Sequence, residues 1–393
     1  MPASQTKSLN ASLSAAKAAK KDEFYTQYID IQKEVEAYLE YDPDTFRAKH
    51  VYCNCDDPYE SNFFKYFAAN FNRLGLKRLT TTSYDGSPIA GQQALFPEFD
   101  QQDAPGRKKP HAAAFAVSIE QVTDLNGDGA TDIQDVRLFL EQNEASRTPL
   151  KGHGDFRSDE CVELLNQADI VVTNPPFSLF REFVAQLVEH DKKFLILGDQ
   201  NAITLKEIFP LVQANKLWLG VDNGGTKWFA VPDDYDIKTE SRKKFVGGVK
   251  FFSMGRVNWY TNLDHGRRHQ KLDLMTQSDN LKFNKKLSGK SPYEKYANYD
   301  AIEVPYADAI PRDYPEKMGV PITFLDKYNP SQFEILGSSR TLGQPISEVA
   351  EKGTYVQGGP RFYLPNADGT YRRMYDRLVV RHRAQRPENG GKA

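Results

Sequence analysis

The residues with the clearest chemical potential are Asn174-Pro175-Pro176-Phe177, which end the apolar run Asp169-Ile170-Val171-Val172-Thr173. An exocyclic amine conjugated with a flat ring is a poor nucleophile, because its lone pair is delocalised. Two acceptors aimed at its two hydrogens draw the nitrogen toward tetrahedral geometry and localise the pair. The side-chain oxygen of Asn174 and the carbonyl of Pro175 are acceptors of that kind. Pro176 fixes φ and stiffens the turn, and Phe177 offers a face on which a base can stack. The proton can leave after the amine has attacked, so no general base need act first, and positioning supplies most of the rate. The plainer reading is a strand-ending turn in which Asn174 caps the next helix and the prolines only rigidify.

Such a turn needs a strand before it and a helix after it, and the flanking sequence predicts both, over 169–173 and 179–190. The pattern repeats along the first half of the chain. Phe24, Tyr28, Ile31, Val35 and Leu39 recur at three- and four-residue steps and predict a helix over 22–39, ended by Asp42-Pro43. Strands are predicted over 50–55, 76–84, 112–122 and 193–197, and helices over 63–74, 158–167 and 205–214, with Gly75 as a C-cap. Residues 86–110 read as a long loop. Alternating strands and helices imply an α/β fold with a mostly parallel sheet and helices on both faces. Beyond about residue 218 short strand-like runs (227–231, 249–252, 257–262, 319–325, 333–336) alternate with basic loops, and 371–381 reads as a last strand. The Gly-Gly pairs at 224–225 and 247–248 read as turns.

A second motif has the spacing of an EF-hand calcium loop. Asp124, Asn126, Asp128, Asp132 and Asp135 fall at positions 1, 3, 5, 9 and 12, with Gly129 at position 6 and a helix following. Asp at position 12 in place of the longer Glu, and the lack of a partner loop, leave a second reading open: an Asx-rich turn that caps the helix.

Composition bounds the rest. At 393 residues, with 39% hydrophobic and 26% charged residues, the chain suits a globular protein of more than one unit. No apolar stretch approaches the roughly 18 residues a membrane span needs, so no membrane partner is expected. Residues 1–21 read as a flexible, solvated leader without a secretory h-region. Three cysteines give no disulfide framework, and a reducing, cytoplasmic setting is expected. The net charge of -2 is unevenly spread. Basic residues outnumber acidic ones between Lys238 and Lys295, and the tail carries Arg372, Arg373, Arg377, Arg381, His382 and Arg383, as a surface that neutralises phosphates would.

The Asn-Pro-Pro-Phe motif with its upstream elements resembles amino-group methyltransferases of the Rossmann-like class. The chain as a whole resembles the EcoRI-type adenine-specific DNA methyltransferase family, through Asp22-Glu23-Phe24-Tyr25-Thr26, Val51-Tyr52-Cys53-Asn54-Cys55-Asp56-Asp57-Pro58, the Asn174 motif, Tyr299-Asp300-Ala301-Ile302-Glu303-Val304 and Met318-Gly319-Val320-Pro321-Ile322-Thr323-Phe324-Leu325. The resemblance implies S-adenosylmethionine (SAM) as methyl donor and N6 of a flipped-out adenine in double-stranded DNA as acceptor; such an enzyme is either the modification half of a restriction–modification system, with a cognate restriction endonuclease as partner, or solitary. It places Asn174, Pro175, Pro176 and Phe177 at the catalytic centre. It assigns SAM to Phe24, Tyr25 and Thr26, to Asp57, Ser61 and Asn62 after the first strand, and to Asp155 and Phe156. Ser61 and Asn62 stand where the wider class has glycines. The second strand ends Thr81-Thr82-Ser83-Tyr84-Asp85, where an acid for the ribose is expected. The implied organisation is a leader (1–21), a SAM-binding catalytic core (22–220) with an EF-hand-like insertion at about 122–145, and a 221–393 region with the remaining core strands, the smaller C-terminal recognition region and a basic tail. Two other functions fit the residues: methyl transfer to RNA or a protein amide, and a calcium-dependent binding module on an inactive methyltransferase fold.

Overall fold

Continuous runs of Val, Ile, Leu and Thr bounded by turn residues make the central strands of the first unit, which are buried on both faces, and shorter or basic runs make the others. In chain order they are β1 (His50–Cys53), β2 (Arg78–Thr82), β3 (Phe115–Ile119), β4 (Arg147–Pro149), β5 (Ile170–Thr173), β6 (Lys193–Asp199) and β7 (Trp218–Leu219), then β8 (Phe229–Ala230), β9 (Lys243–Val246), β10 (Val249–Phe252) and β11 (Val257–Thr261). The structure is a computed structural model that describes residues 26–58, 61–83, 114–142, 147–224, 226–231, 237, 239–253, 255, 257–290 and 292–383. The described residues form two compact units. One runs up to Ala202 and includes Leu219–Leu263; the other joins Ile203–Trp218 to the residues from Asp264 onward. The leader 1–21 and the loop 86–110 lie outside the described residues.

In the first unit eight strands form one sheet, in the order β4-β3-β2-β1-β5-β6-β11-β7. The four central strands, β2, β1, β5 and β6, run parallel. The flanking pairs β2–β3, β3–β4 and β6–β11 are antiparallel. The helices are α1 (Tyr28–Tyr41), α2 (Asn62–Ala69), α3 (Phe71–Leu74), α4 (Ile133–Gln142), α5 (Asp159–Gln167) and α6 (Phe180–Glu189). Strand alternation sends Val117 and Ile119 into a core shared with α1 and α2, and Ala116 into a separate cluster with Cys161 of α5. Both faces of the sheet are therefore covered. Gly75 closes α3 in the left-handed region at φ 61°, where a side chain is disfavoured. The helix expected over 63–74 is broken at Asn70, which gives α2 and α3. A second sheet of this unit, β8-β10-β9, was only partly legible, because β9 is basic and half exposed.

The second unit holds α7 (Phe209–Gln213), shorter than the helix expected over 205–214, and α8 (Gln277–Phe283). Its strands are β12 (Ile302–Glu303), β13 (Met318–Pro321), β14 (Phe333–Ser338), β15 (Tyr363–Pro365), β16 (Tyr371–Arg373) and β17 (Arg377–His382). They form the sheet β12-β13-β17-β14 and the hairpin β15–β16. The single strand expected over 371–381 is thus two strands in two sheets. The tail cations belong to this framework. Arg377 is buried and grips Glu303 of β12, with Nη2–Oε1 at 2.8 Å and Nε–Oε2 at 3.0 Å. Tyr296 donates to the same carboxylate. Arg381 pairs with Glu334, and Arg383 donates to the Pro330 carbonyl. The tail cluster read as a phosphate surface is in these members a set of structural contacts.

One buried acid ties α1 to the turn after β7. Glu34 is fully buried, and its carboxylate accepts from the amides of Val221 at 2.8 Å and Asp222 at 2.5 Å. A Cβ on Gly220 would lie 2.1 Å from Glu34 Oε1, so only glycine fits there. Burial pushes the Glu34 carboxyl up to about 7, against the two amides, which pull it down.

Two predictions follow from these buried charges. A raised folded-state value favours the protonated form on folding, so the Glu34 contribution is complete below the ordinary glutamate range and is lost as pH rises through about 7. Denaturant stability should therefore fall between about pH 5 and 8 more steeply in the parent than in Glu34→Gln; parallel curves would refute this. Arg377→Leu should cost about 3–5 kcal/mol, because it leaves Glu303 buried and uncompensated, and adding Glu303→Met should recover most of that loss. A double variant no more stable than Arg377→Leu would show that the carboxylate does not need its partner.

Candidate active site

Strand order fixes where the first unit can bind a ligand. From β1 the chain passes to β2 on one side, and β5 lies on the other side, so the direction of winding reverses between β1 and β5. The two are parallel, in register at Val51↔Ile170 and Tyr52↔Val171. Their carboxyl ends open a crevice of the kind that holds ligands in α/β sheets. Asn54-Cys55-Asp56 leaves the end of β1, and Asn174-Pro175-Pro176-Phe177 leaves the end of β5. The sheet therefore brings both motifs to one edge.

At that edge Asn174 is half-buried with its Oδ1 shielded from solvent, Pro175 is buried, and Phe177 is half-buried against the main core. Asn174 is not a helix cap. The 3-10 turn Phe177–Leu179 is N-capped by Pro176, and α6 by Leu179. The alternative in which Asn174 merely starts the next helix is thereby removed. Pro176 and Leu179 close the turn through a 2.9 Å backbone bond.

Behind the turn lies a knot of buried hydrogen bonds around Asp56. Its carboxylate accepts from the Ser61 hydroxyl at 2.5 Å and from the Thr173 hydroxyl at 2.6 Å. Thr173 Oγ1 also lies against the Asn54 carbonyl, and Thr81 of β2 donates to the Asp56 carbonyl. One residue thus joins the ends of β1, β2 and β5 to the start of α2. Asp57, the acid expected to bind the cofactor amino group, is its half-exposed neighbour. Ser61 caps α2, accepting from the amides of Phe63 and Phe64. Its hydroxyl thus serves the fold. Sequence reasoning passed over Asn54, Asp56 and Thr173, though three consecutive polar residues after an apolar strand, Asn54 to Asp56, were the available signal.

Three buried polar atoms at this end of the unit have no hydrogen-bond partner among the described residues: Asn54 Nδ2, Asn62 Oδ1 and Thr26 Oγ1. All three residues are more than nine-tenths buried. Asn62 and Thr26 adjoin, since Asn62 Nδ2 donates to the Thr26 carbonyl at 2.8 Å. Unpartnered buried polar atoms are costly unless a ligand satisfies them. A donor, an acceptor and a hydroxyl suit the carboxylate and ammonium of an amino-acid moiety such as that of SAM. Phe24, Tyr25, Tyr84 and Asp85 lie outside the described residues.

Asp155 is half-buried and held by Arg157 at 2.7 Å, and Arg157 also reaches Glu182 of α6 at 2.9 Å. Phe156 is a core aromatic, edge-on to Phe183 of α6 at 5.0 Å. The helix that follows the Asn174 turn thus also anchors this second element. In the EF-hand-like loop Asp124 accepts from the amides of Gly127 at 2.6 Å and Gly129 at 2.8 Å, and Asp135 accepts from Leu125 at 2.7 Å and Asp132 at 2.9 Å. Asn126, Asp128 and Asp132 likewise accept from loop amides. Among the described residues no group of three or more His, Cys, Asp or Glu side chains is arranged to hold a metal ion. No described helix is long and apolar enough to cross a membrane.

Known proteins resemble this chain over most of its length. The sequence profile described as "Adenine-specific methyltransferase EcoRI" matches residues 12–383. The Type II methyltransferase M.EcoRI of Escherichia coli is 42% identical over 355 residues, which cover 88% of this chain and 95% of that protein. The Type II methyltransferase M.MgeORF184P of Mycoplasma genitalium is 36% identical over 93% of this chain and 97% of its own length. M.MpnI of Mycoplasma pneumoniae is 34% identical, covering 94% and 97%. No solved structure matches. Membership in this family implies SAM as the methyl donor and DNA as the substrate. The chain belongs to the adenine-specific EcoRI methyltransferase family, and its activity is site-specific methylation of adenine in DNA.

Proposed function

We propose that the edge formed by β1 and β5 is the Rossmann-like catalytic crevice, and that Asn174-Pro175-Pro176-Phe177 grips the N6 amine of an adenine swung out of the duplex. The observation that carries this reading is the convergence of the Asn54–Asp56 and Asn174–Phe177 segments at the switch point. Inside a duplex N6 is paired and stacked, so the base must leave the helix before its amine can be reached. Asn174 Oδ1 and the Pro175 carbonyl accept from the two amine hydrogens and localise the nitrogen lone pair. Phe177 stacks on the ring. SAM, when bound, supplies an electrophilic methyl group. Asn54, Asn62 and Thr26 hold its amino-acid end, with Asp57 near the ammonium, and Asp155 accepts from the adenine amine of the cofactor while Phe156 backs that element. The described residues up to Ala202 with Leu219–Leu263 carry catalysis. The other unit carries recognition, where Lys282, Lys285, Lys286 and Lys290 are exposed around α8. A cytoplasmic enzyme paired with a cognate endonuclease fits the relatives, which are Type II methyltransferases by name.

Asn174→Ala should lower the single-turnover methylation rate by on the order of 10²-fold, the usual loss when one positioned polar partner is removed. Its SAM affinity should stay within about twofold of the parent. Asn62→Ala should do the reverse, weakening SAM by about tenfold while saturating SAM restores the rate. Near-normal turnover in Asn174→Ala would place the acceptor site elsewhere.

We also propose that the loop from Asp124 to Asp135 holds Ca²⁺ as a structural ion. The support is its spacing and the left-handed Gly129 (φ 88°) at the sharp-turn position. Calcium should raise the melting temperature by about 2–4 °C, and Asp124→Ala with Asp128→Ala should abolish the shift. Identical melting in calcium and in chelator would leave the loop as an Asx turn that caps α4.

A further inference from the structure

The hairpin β9–β10 ends in exposed apolar residues that the fold does not need. Phe245 is 60% and Val246 57% exposed. The turn between the strands is Gly247-Gly248, with φ values of 56° and 81°, which is the two-residue hairpin that requires left-handed residues at both positions. The register pairs Val246 with Val249 and Phe245 with Lys250. At the other end the hairpin is anchored. Phe252 packs against the main core, which contains Phe229 and Val231, and the Val231 amide donates to the Lys250 carbonyl at 3.0 Å. The result is a fixed base with an apolar tip held out in solvent.

Charge surrounds that tip. Residues 239–252 carry Arg242, Lys243, Lys244 and Lys250 against one acid, Glu240. Lys244 Nζ sits 4.5 Å from the Trp228 ring and 5.4 Å from the Phe251 ring. Lys243 and Lys250 share the face of Phe245 by strand alternation. A large aromatic at the tip of an edge hairpin is an aggregation liability unless it has an occupant. An apolar tip collared by cations is complementary to a duplex, whose base steps are apolar and whose rims are anionic.

Topology directs the hairpin to the catalytic edge. β11 is antiparallel to β6, and its first residue, Val257, pairs with Asp199 at the carboxyl end of β6. The segment that precedes β11 therefore leaves the sheet at the edge that carries Asn54–Asp56 and Asn174–Phe177.

We propose that Phe245 and Val246 form a wedge that enters the duplex at the target step and holds it open once the adenine has swung into the Asn174 site, with Lys243, Lys244 and Lys250 on the flanking phosphates. The inference rests on the acceptor-site reading above. Unstacking a base costs a few kcal/mol, and an apolar filler at the vacated step offsets part of it.

The test uses the full chain and a duplex bearing its own methylation site. Phe245→Ser with Val246→Ser should slow single-turnover methylation about tenfold when the target adenine is paired, and by less than about twofold when it faces an abasic site, where the step is already open. With 2-aminopurine at the target, the fluorescence rise on binding should shrink in the double variant. Phe245→Leu alone should keep the parent rate, because the wedge needs an apolar group only. A parent-like rate on the paired duplex, or equal slowing on both substrates, would overturn the wedge. Neither result touches the acceptor site, whose failure would show as adenine methylation persisting in Asn174→Ala.

Discussion

The architecture of this edge depends on one buried carboxylate. Asp56 follows β1 where three parallel strands end; its carboxylate accepts from Thr173 of β5 and from Ser61 at the start of the next helix, and its carbonyl accepts from Thr81 of β2. A hydrogen bond to a charged group is worth roughly 1.5–3 kcal/mol, and a buried anion with no partner costs several. If β5 shifted relative to β1, the Asp56 carboxylate would lose the Thr173 hydroxyl and keep that of Ser61. Thr173 directly precedes Asn174, so whatever fixes its hydroxyl fixes the start of the Asn-Pro-Pro turn. On the proposed reading, the fold's need to satisfy a buried polar group and the site's need for a rigid acceptor are met by the same bonds.

A second restraint comes from α6. It begins just after the turn and sends Phe183 into the core against Phe156, while its Glu182 holds Arg157, which holds Asp155. Elements that stand apart in sequence are thereby mounted on one helix. The cations follow the same economy. Arg268 is buried and stacks 3.5 Å from the Trp218 ring, and Arg377 serves the second sheet, so local excess of Lys and Arg marks framework as well as contact surface.

Much of the fold was legible because its signals are local. Runs such as Ile170–Thr173 and Lys193–Asp199 bury on both faces and admit no other regular structure of that length. The short strands Arg147–Pro149, Trp218–Leu219 and Ile302–Glu303 were not foreseen, since two or three residues carry no period and owe their form to a neighbour. The Asn174 motif stands out in the sequence because its residues are consecutive. Asp56 was not, because its role is set by hydroxyls 5, 25 and 117 positions away, and nothing in Asp56-Asp57 says which acid turns inward. Residue types alone also left RNA and protein amides open as acceptors, and family membership resolves that choice to adenine in DNA.

On the proposed reading, the two prolines bear on why this turn would suit an amine in particular. An ordinary peptide turn presents donors and acceptors together, and an amide N–H aimed at a bound amine would repel its hydrogens. Pro175 and Pro176 have no N–H. Over two successive residues the backbone at the mouth of the crevice therefore offers carbonyls alone, and Asn174 adds a side-chain oxygen. Asn174 Oδ1 and the Pro175 carbonyl are acceptors with no proline N–H beside them, which on the proposed reading matches a nucleophile that presents two donors, while the Pro176 carbonyl accepts from the Leu179 amide. Stiffness has a second consequence. A turn already fixed in φ by its rings and closed by the Pro176–Leu179 bond would lose little entropy on binding a base, so on the proposed reading more of the binding free energy remains to reshape the amine.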